Sequence, residues 1–307
     1  MTFSRTTCGA VAVSAAFVLG VLPATAVPAL AGPAVPALRT PGQGERPLGL
    51  AHAPNARDIG GYPVQGGGRV AFGQVLRADS LAKLDEAEQQ KLVTLGVTQV
   101  VDFRSPAETS RDPDRLPASI NRIERPVFNP ADDFYLFMAR LIQGGPAAQQ
   151  AALGDGKGVQ YMRDYYRWLV TDASARAQFG ATLAGIATAT GPLLYHCTAG
   201  KDRTGWMTAI LLSALRVPKG LIVQDFLDSN DHLAASNTAL LDALVQQGLV
   251  TDRALWTPIL GVQEDFLAAA FDQVKQSYGS MDAYLTDGLG VSTAQLDAVR
   301  AELVTAK

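Results

Sequence analysis

The chain has 307 residues, 48% of them hydrophobic and 18% charged, with a formal net charge of -3 and two cysteines. That length and apolar fraction suffice for one large core or two small ones, which excludes disordered, collagen-like and disulfide-scaffold classes. Lys and Arg total 26 against 29 Asp and Glu, so no chain-wide basic field exists to hold nucleic acid or an anionic membrane.

Residues 1–31 read as a secretory signal. A lone Arg5 precedes an apolar run from Gly9 to Leu22 that is too short to span a bilayer, and Ala29 and Ala31 form a small-residue cleavage pattern before Gly32. Ala24 and Ala26 offer a second cleavage point, and Pro23, Pro28, Pro33 and Pro36 break any helical continuation. Cleavage would remove Cys8 and leave Cys197 without a disulfide partner. No second apolar run approaches membrane-spanning length, so the expectation is a soluble, secreted protein without stable membrane insertion. Residues 32–47, rich in Pro, Ala and Gly, suit a flexible lead-in.

The folded domain is expected over residues 48–307. Residues 55–62 read NARDIGGY with a turn at Gly60 and Gly61, and the cluster Gly66 to Gly68 separates two short extended pieces. Residues 75–77 are strand-like, 84–95 helical with Gly96 as the stop, and 97–103 a buried β-branched strand. Residues 104–117 are polar and turn-rich, and 120–127 offer another strand. Helices are expected over 131–142 and 159–170, separated by a flexible segment at 144–158, and again over 174–189. A strand at 192–196 follows, and from Arg203 onward almost everything is helical, including 231–247, 264–277 and a last helix opened by a Ser292–Gln295 capping box. Strands alternating with helices define an α/β class: a mainly parallel central sheet flanked by helices, with a helical C-terminal part.

Residues 192–205 read PLLYHCTAGKDRTG, a short strand, a loop and the start of an apolar helix. Unpaired N–H groups at such a helix start point at whatever the loop encloses, which makes Thr198, Ala199, Gly200, Lys201, Asp202 and Arg203 the candidate anion cradle. Gly200 allows close backbone approach, and Arg203 supplies a planar fork for two phosphate oxygens. The same positive environment favours a thiolate at Cys197, so a nucleophile and a phosphate cradle share one loop.

HCTAGKDRTG resembles the Cys-x5-Arg signature of the protein tyrosine phosphatase superfamily, in particular its bacterial tyrosine/serine phosphatase branch with secreted mycobacterial members. NARDIGGY, VVDFRS at 100–105, DFLDSN at 225–230 and YGSMDAYL at 278–285 resemble segments of that branch in the same order, so the likeness covers nearly the whole mature chain. It implies a phosphatase-like fold with a helical lid over residues 131–158, and hydrolysis through a phosphocysteine on Cys197. The loop amides and Arg203 would stabilise the equatorial oxygens, and Thr204 would donate to the departing sulfur. Two carboxylates are candidates for the acid: Asp202, placed as in myotubularin-type phosphatases, and Asp102 at the carboxyl edge of a strand, for which a buried ion pair with Arg104 is the alternative. Lys201 either contacts a second phosphate, as in phosphoinositide phosphatases, or is a solvated lysine.

The expected partners are phosphoproteins or phosphoinositides, without cofactor or metal, and the oligomeric state is open. His196 is expected to bond loop backbone, Arg57 and Asp58 to pair beneath the site, and His52 and His232 to stand apart from any metal-ligand cluster. Tyr161, Tyr165 and Trp168 at helical spacing are expected in core or lid packing. A rhodanese-like sulfurtransferase and a non-catalytic phosphate-binding module remain as alternatives. The sulfurtransferase loop is usually shorter, and the module would lack the nucleophile.

Overall fold

The computed structural model describes residues 46–305. The expected leader over residues 1–31, with Cys8, and the lead-in up to residue 45 lie outside the described residues. In chain order the strands are β1 (Arg46–Pro47), β2 (Arg57–Asp58), β3 (Arg69–Val70), β4 (Val75–Ala78), β5 (Gln99–Asp102), β6 (Asn121–Glu124), β7 (Leu193–His196) and β8 (Val304–Thr305). The helices are α1 (Glu86–Thr94), α2 (Pro106–Arg111), α3 (Phe134–Leu153), α4 (Lys157–Thr171), α5 (Ala173–Ile186), α6 (Arg203–Ala214), α7 (Lys219–Gln246), α8 (Thr257–Leu260), α9 (Glu264–Tyr278), α10 (Met281–Ala283) and α11 (Thr293–Leu303).

The main sheet has the order β1-β2-β4-β7-β5-β6. Its four longer strands β4, β7, β5 and β6 are parallel, and the two short edge strands β2 and β1 add antiparallel. The α/β class with a mainly parallel sheet therefore holds. All four residues of β7 are buried, as befits an apolar strand covered on both faces. Although late in sequence, β7 inserts between β4 and β5, and its register sets His196 beside both Ala78 and Asp102. The residues that follow, Asp79, Cys197 and Phe103, thus leave the sheet together at its carboxyl edge, where parallel sheets place their sites. Helix α6, apolar on nearly every side, is buried at every residue except Ser213 and fixes the far end of the loop.

Three expectations need correction. The turn-rich stretch 104–117 contains α2, whose start is a Ser105–Glu108 capping box with Pro106 in the first turn. The flexible segment expected at 144–158 is helical: α3 continues to Leu153 across a kink at Gly145. The helix expected from Asp231 begins at Lys219, directly after Pro218. Its first part buries Asp225, Asp228 and Ser229, and those polar residues interrupt the apolar period by which a helix is recognised. The C-terminal part is almost wholly helical, as expected, with the two-residue β8 returning to pair with β3.

Candidate active site

The loop from Cys197 to Arg203 is held from behind by its carbonyls. Ser80 N donates to Thr198 O at 2.9 Å, Asn55 Nδ2 to Ala199 O at 2.9 Å, and Arg77 Nη2 to Gly200 O at 2.7 Å. Because carbonyl and amide point oppositely across a peptide plane, these bonds turn the following N–H groups inward. Among the described residues, no protein acceptor takes the N–H groups of Thr198, Ala199, Gly200, Lys201 or Asp202. Gly200 has φ +66, and a Cβ there would lie 2.4 Å from Ala78 O, so only glycine lets the loop sit against β4. The arrangement is a ring of amide donors beside the buried Cys197 sulfur, suited to a tetrahedral anion.

Arg203, the first residue of α6, is fixed by a residue that the sequence did not single out. Its Nη1 and Nη2 donate to the two oxygens of Glu108 at 2.7 Å each, and Nη1 also donates to Phe103 O at 3.2 Å. Glu108 further accepts from the Thr198 hydroxyl and from Ser105 N. Burial pushes the Glu108 carboxyl up, but the Arg203 charge and these donors outweigh it and hold it at about 2. Burial likewise opposes the Arg203 charge, yet the Glu108 carboxylate raises its pKa well above the ordinary value. The signal for Glu108 was present in the sequence as the Ser-x-x-Glu capping pattern of α2.

Asp202 lies in the loop beside Arg203 as expected. Lys201 Nζ donates to both of its oxygens at 2.9 Å, and the buried Tyr166 hydroxyl donates to Oδ1 at 2.9 Å. Lys201 is only 3% exposed, which corrects its reading as a solvated lysine. Asp102 ends β5 as expected but is enclosed by cations: Arg104 Nε and Nη2 at 3.0 and 2.9 Å, and Arg122 Nη2 at 3.1 Å. Burial raises its pKa, while His196 and Arg104 outweigh that and hold it well below the usual carboxylate range. This is the ion-pair alternative to an acid role. Thr204 is fully buried, but its hydroxyl has no hydrogen-bond partner, so the expected donation to the Cys197 sulfur is not formed.

His196 bonds loop backbone as expected, with Nδ1 3.1 Å from Cys197 O, and its Nε2 lies 3.1 Å from Asp114 Oδ2. Burial lowers its pKa, but the Asp114 and Asp102 carboxylates raise it above the ordinary value of 6.5. Asp79, also absent from the sequence candidates, accepts from Asn55 N at 3.1 Å, and burial pushes it up to about 7. The expected Arg57–Asp58 pair does not form. Arg57 instead donates to Asp225, Asn55 and Ser229, and Asp58 accepts from the Gly60 and Gly73 amides. His52 is not isolated from carboxylates either: its Nδ1 lies 2.8 Å from Glu88 Oε2, at the capped start of α1.

A cavity of about 220 Å³ adjoins the loop, lined by Glu108 and Arg203 together with Phe134, Tyr161, Tyr165 and Trp168. Phe134 stacks on Tyr165 and Tyr161 at 5.2 and 5.8 Å, and Trp168 on Tyr165 at 5.8 Å. The Tyr161–Tyr165–Trp168 stripe of α4 thus packs against the first half of α3, where a lid would lie, and also walls the cavity.

A thiol and an arginine bracketing an amide ring, at the carboxyl edge of a parallel sheet, define an α/β domain with a thiol-bearing loop shaped for a tetrahedral anion. The model of the tyrosine phosphatase family matches residues 48–305, and the chain belongs to that family. A protein of Cupriavidus necator named provisionally as a tyrosine-protein phosphatase is 35% identical over 254 residues, 83% of this chain and 88% of its own. The triple specificity protein phosphatase PtpB of Mycobacterium tuberculosis is 32% identical, covering 76% of this chain and 91% of its own.

Proposed function

We propose that the chain is a secreted, cysteine-dependent protein-tyrosine phosphatase that hydrolyses phosphomonoesters through a phosphocysteine intermediate. The observation that carries this is the ring of inward amides without protein acceptors beside Cys197, closed by Arg203. Cys197 sulfur attacks phosphorus in line, and the bond to the leaving oxygen breaks as Asp202, protonated once Lys201 has turned away from it and still held by Tyr166, supplies its proton. The amides and Arg203 meet the charge that develops on the equatorial oxygens. Water then attacks the phosphocysteine and gives a proton to the Asp202 carboxylate left by the first step, the S–P bond breaks, and the unpartnered Thr204 hydroxyl turns to the departing sulfur. Asp102 takes no proton on this route and anchors Arg104 and His196 instead. The aromatic cavity wall favours phosphotyrosine. Phosphoserine, phosphothreonine and phosphoinositides are the further substrates, the last requiring Lys201 to leave Asp202 for a second phosphate.

The leader pattern at residues 1–31 supports secretion. One preparation tests both parts. Protein recovered from culture fluid should begin near Gly32 and, quenched during turnover of labelled phosphotyrosine, should carry label on Cys197. Label that survives Cys197→Ser overturns the mechanism, and cyanide-dependent sulfur transfer without phosphate release would favour the sulfurtransferase. An N-terminus at Met1 in the culture fluid overturns the leader.

A further inference from the structure

We propose that Arg77 is a positioning residue for the phosphate cradle, acting from behind the loop through the Gly200–Lys201 peptide. The inference rests on the reading that this loop binds phosphate and goes beyond it to the source of the loop's donor strength. Arg77 sits on β4, is fully buried, and touches no part of the cavity. Its Nη2 donates to Gly200 O at 2.7 Å, and its Nη1 is anchored on Asp225 Oδ2 at 2.5 Å.

Arg57 shares that anchor, with Nε 3.4 Å from Asp225 Oδ1 and Nη2 2.8 Å from Asp225 O. Two guanidiniums therefore meet at Asp225, which fixes Arg77 in place behind the loop. A carbonyl that accepts a charge-assisted hydrogen bond polarises its peptide, so the Lys201 N–H on the inner side becomes the stronger donor. The neighbouring Ala199–Gly200 peptide is held in the same sense by Asn55, but by a neutral donor. Arg77 Nε is itself buried without a partner. A buried donor left unpaired costs stability, a cost offset by the bonds of Arg77 to Gly200 O, Asp225 and Ser229.

The benefit should grow as charge accumulates on the equatorial oxygens, so a transition-state-like ligand should sense Arg77 more than a ground-state one. The test compares wild type, Arg77→Met and Arg77→Lys for kcat and KM on an aryl phosphate and for inhibition by orthovanadate and inorganic phosphate. The Lys201 backbone amide is followed by NMR. Arg77→Met should lose about 10- to 100-fold in kcat per titratable thiol and a similar factor in vanadate affinity, with a smaller loss for phosphate. Its Lys201 amide resonance should move, and Arg77→Lys should recover part of each effect.

Folded Arg77→Met with wild-type vanadate inhibition and an unmoved Lys201 resonance overturns the inference. If Arg77→Met does not fold, Asp225→Asn loosens the anchor while keeping its shape. It should change both readouts in the same direction, and its failure to do so is equally decisive. Wild-type protein that binds no vanadate contradicts the phosphatase reading instead, so the two failures are distinguishable.

Discussion

At the scale of single residues, the arginine that closes the loop is only as well placed as the carboxylate that orients it. Glu108 holds both terminal nitrogens of Arg203 and the Thr198 hydroxyl, so it ties the two ends of the loop to α2. Glu108→Gln keeps the shape but replaces one acceptor oxygen by a donor, leaving one guanidinium nitrogen without its charged partner. We expect kcat/KM on an aryl phosphate to fall about 10- to 100-fold, from the loss of one charge-assisted bond and the fork's orientation. Undiminished kcat/KM in steady-state assays would show that Arg203 orients itself without Glu108. Cys197, Asp202 and Arg203 could be read because they are adjacent in sequence and their spacing is itself the signal. Glu108, Tyr166 and Arg77 act across separations of 95, 36 and 123 residues. No local pattern marks such pairs, since the sheet order rather than the sequence brings them together.

Among the elements, α3 explains how a helix can be hidden by its own punctuation. Gly144, Gly145 and Pro146 read as a linker, yet residues 146–153 are mostly Ala, Gln and Leu, all strong helix formers. Pro146 opens the second half, where a first-turn proline costs no hydrogen bond. That half is pinned by the buried Gln149, which donates to Leu249 O at 2.7 Å and accepts from Trp256 Nε1 at 3.2 Å. The first half stacks on Tyr161 and Tyr165, so the bend at Gly145 decides where the cavity is covered. Gly145 has φ +70 and ψ -171, a conformation essentially closed to side chains, although a Cβ there would meet nothing within 4 Å. Gly145→Ala should therefore lower stability through backbone strain alone, by about 1–3 kcal/mol in urea titration. A midpoint equal to wild type would mean that the two halves of α3 can join by another backbone path. By contrast, α9 was legible from an apolar stripe whose Leu267 and Val274 are buried, and α11 from its Ser292–Gln295 capping box.

For the molecule as a whole, the titratable groups buried at the carboxyl edge of the sheet set the response to pH. Three groups at the carboxyl edge of the sheet shift by amounts that fix the sign. Glu108 is held at about 2 when folded against an ordinary 4.5, so its contribution is present above 4.5 and is lost as pH falls through 2. Asp79 is raised from 3.8 to about 7, so the folded state holds an extra proton across that interval and stability declines as pH rises through it. His196, raised above 6.5, contributes fully below 6.5 and loses that contribution as pH rises through its folded value. Together these terms place maximum stability between the ordinary Asp value of 3.8 and the ordinary Glu value of 4.5, with a decline from there through neutrality. Asp79→Asn keeps the acceptor for the Asn55 amide but cannot ionise. Its melting temperature should match or fall below wild type near pH 5 and gain on it steadily up to pH 8, while the acid limb set by Glu108 stays in place. A constant difference between the two proteins from pH 5 to 8 in thermal scans would show that Asp79 does not titrate in the folded state over that range, and the alkaline decline would then belong to His196.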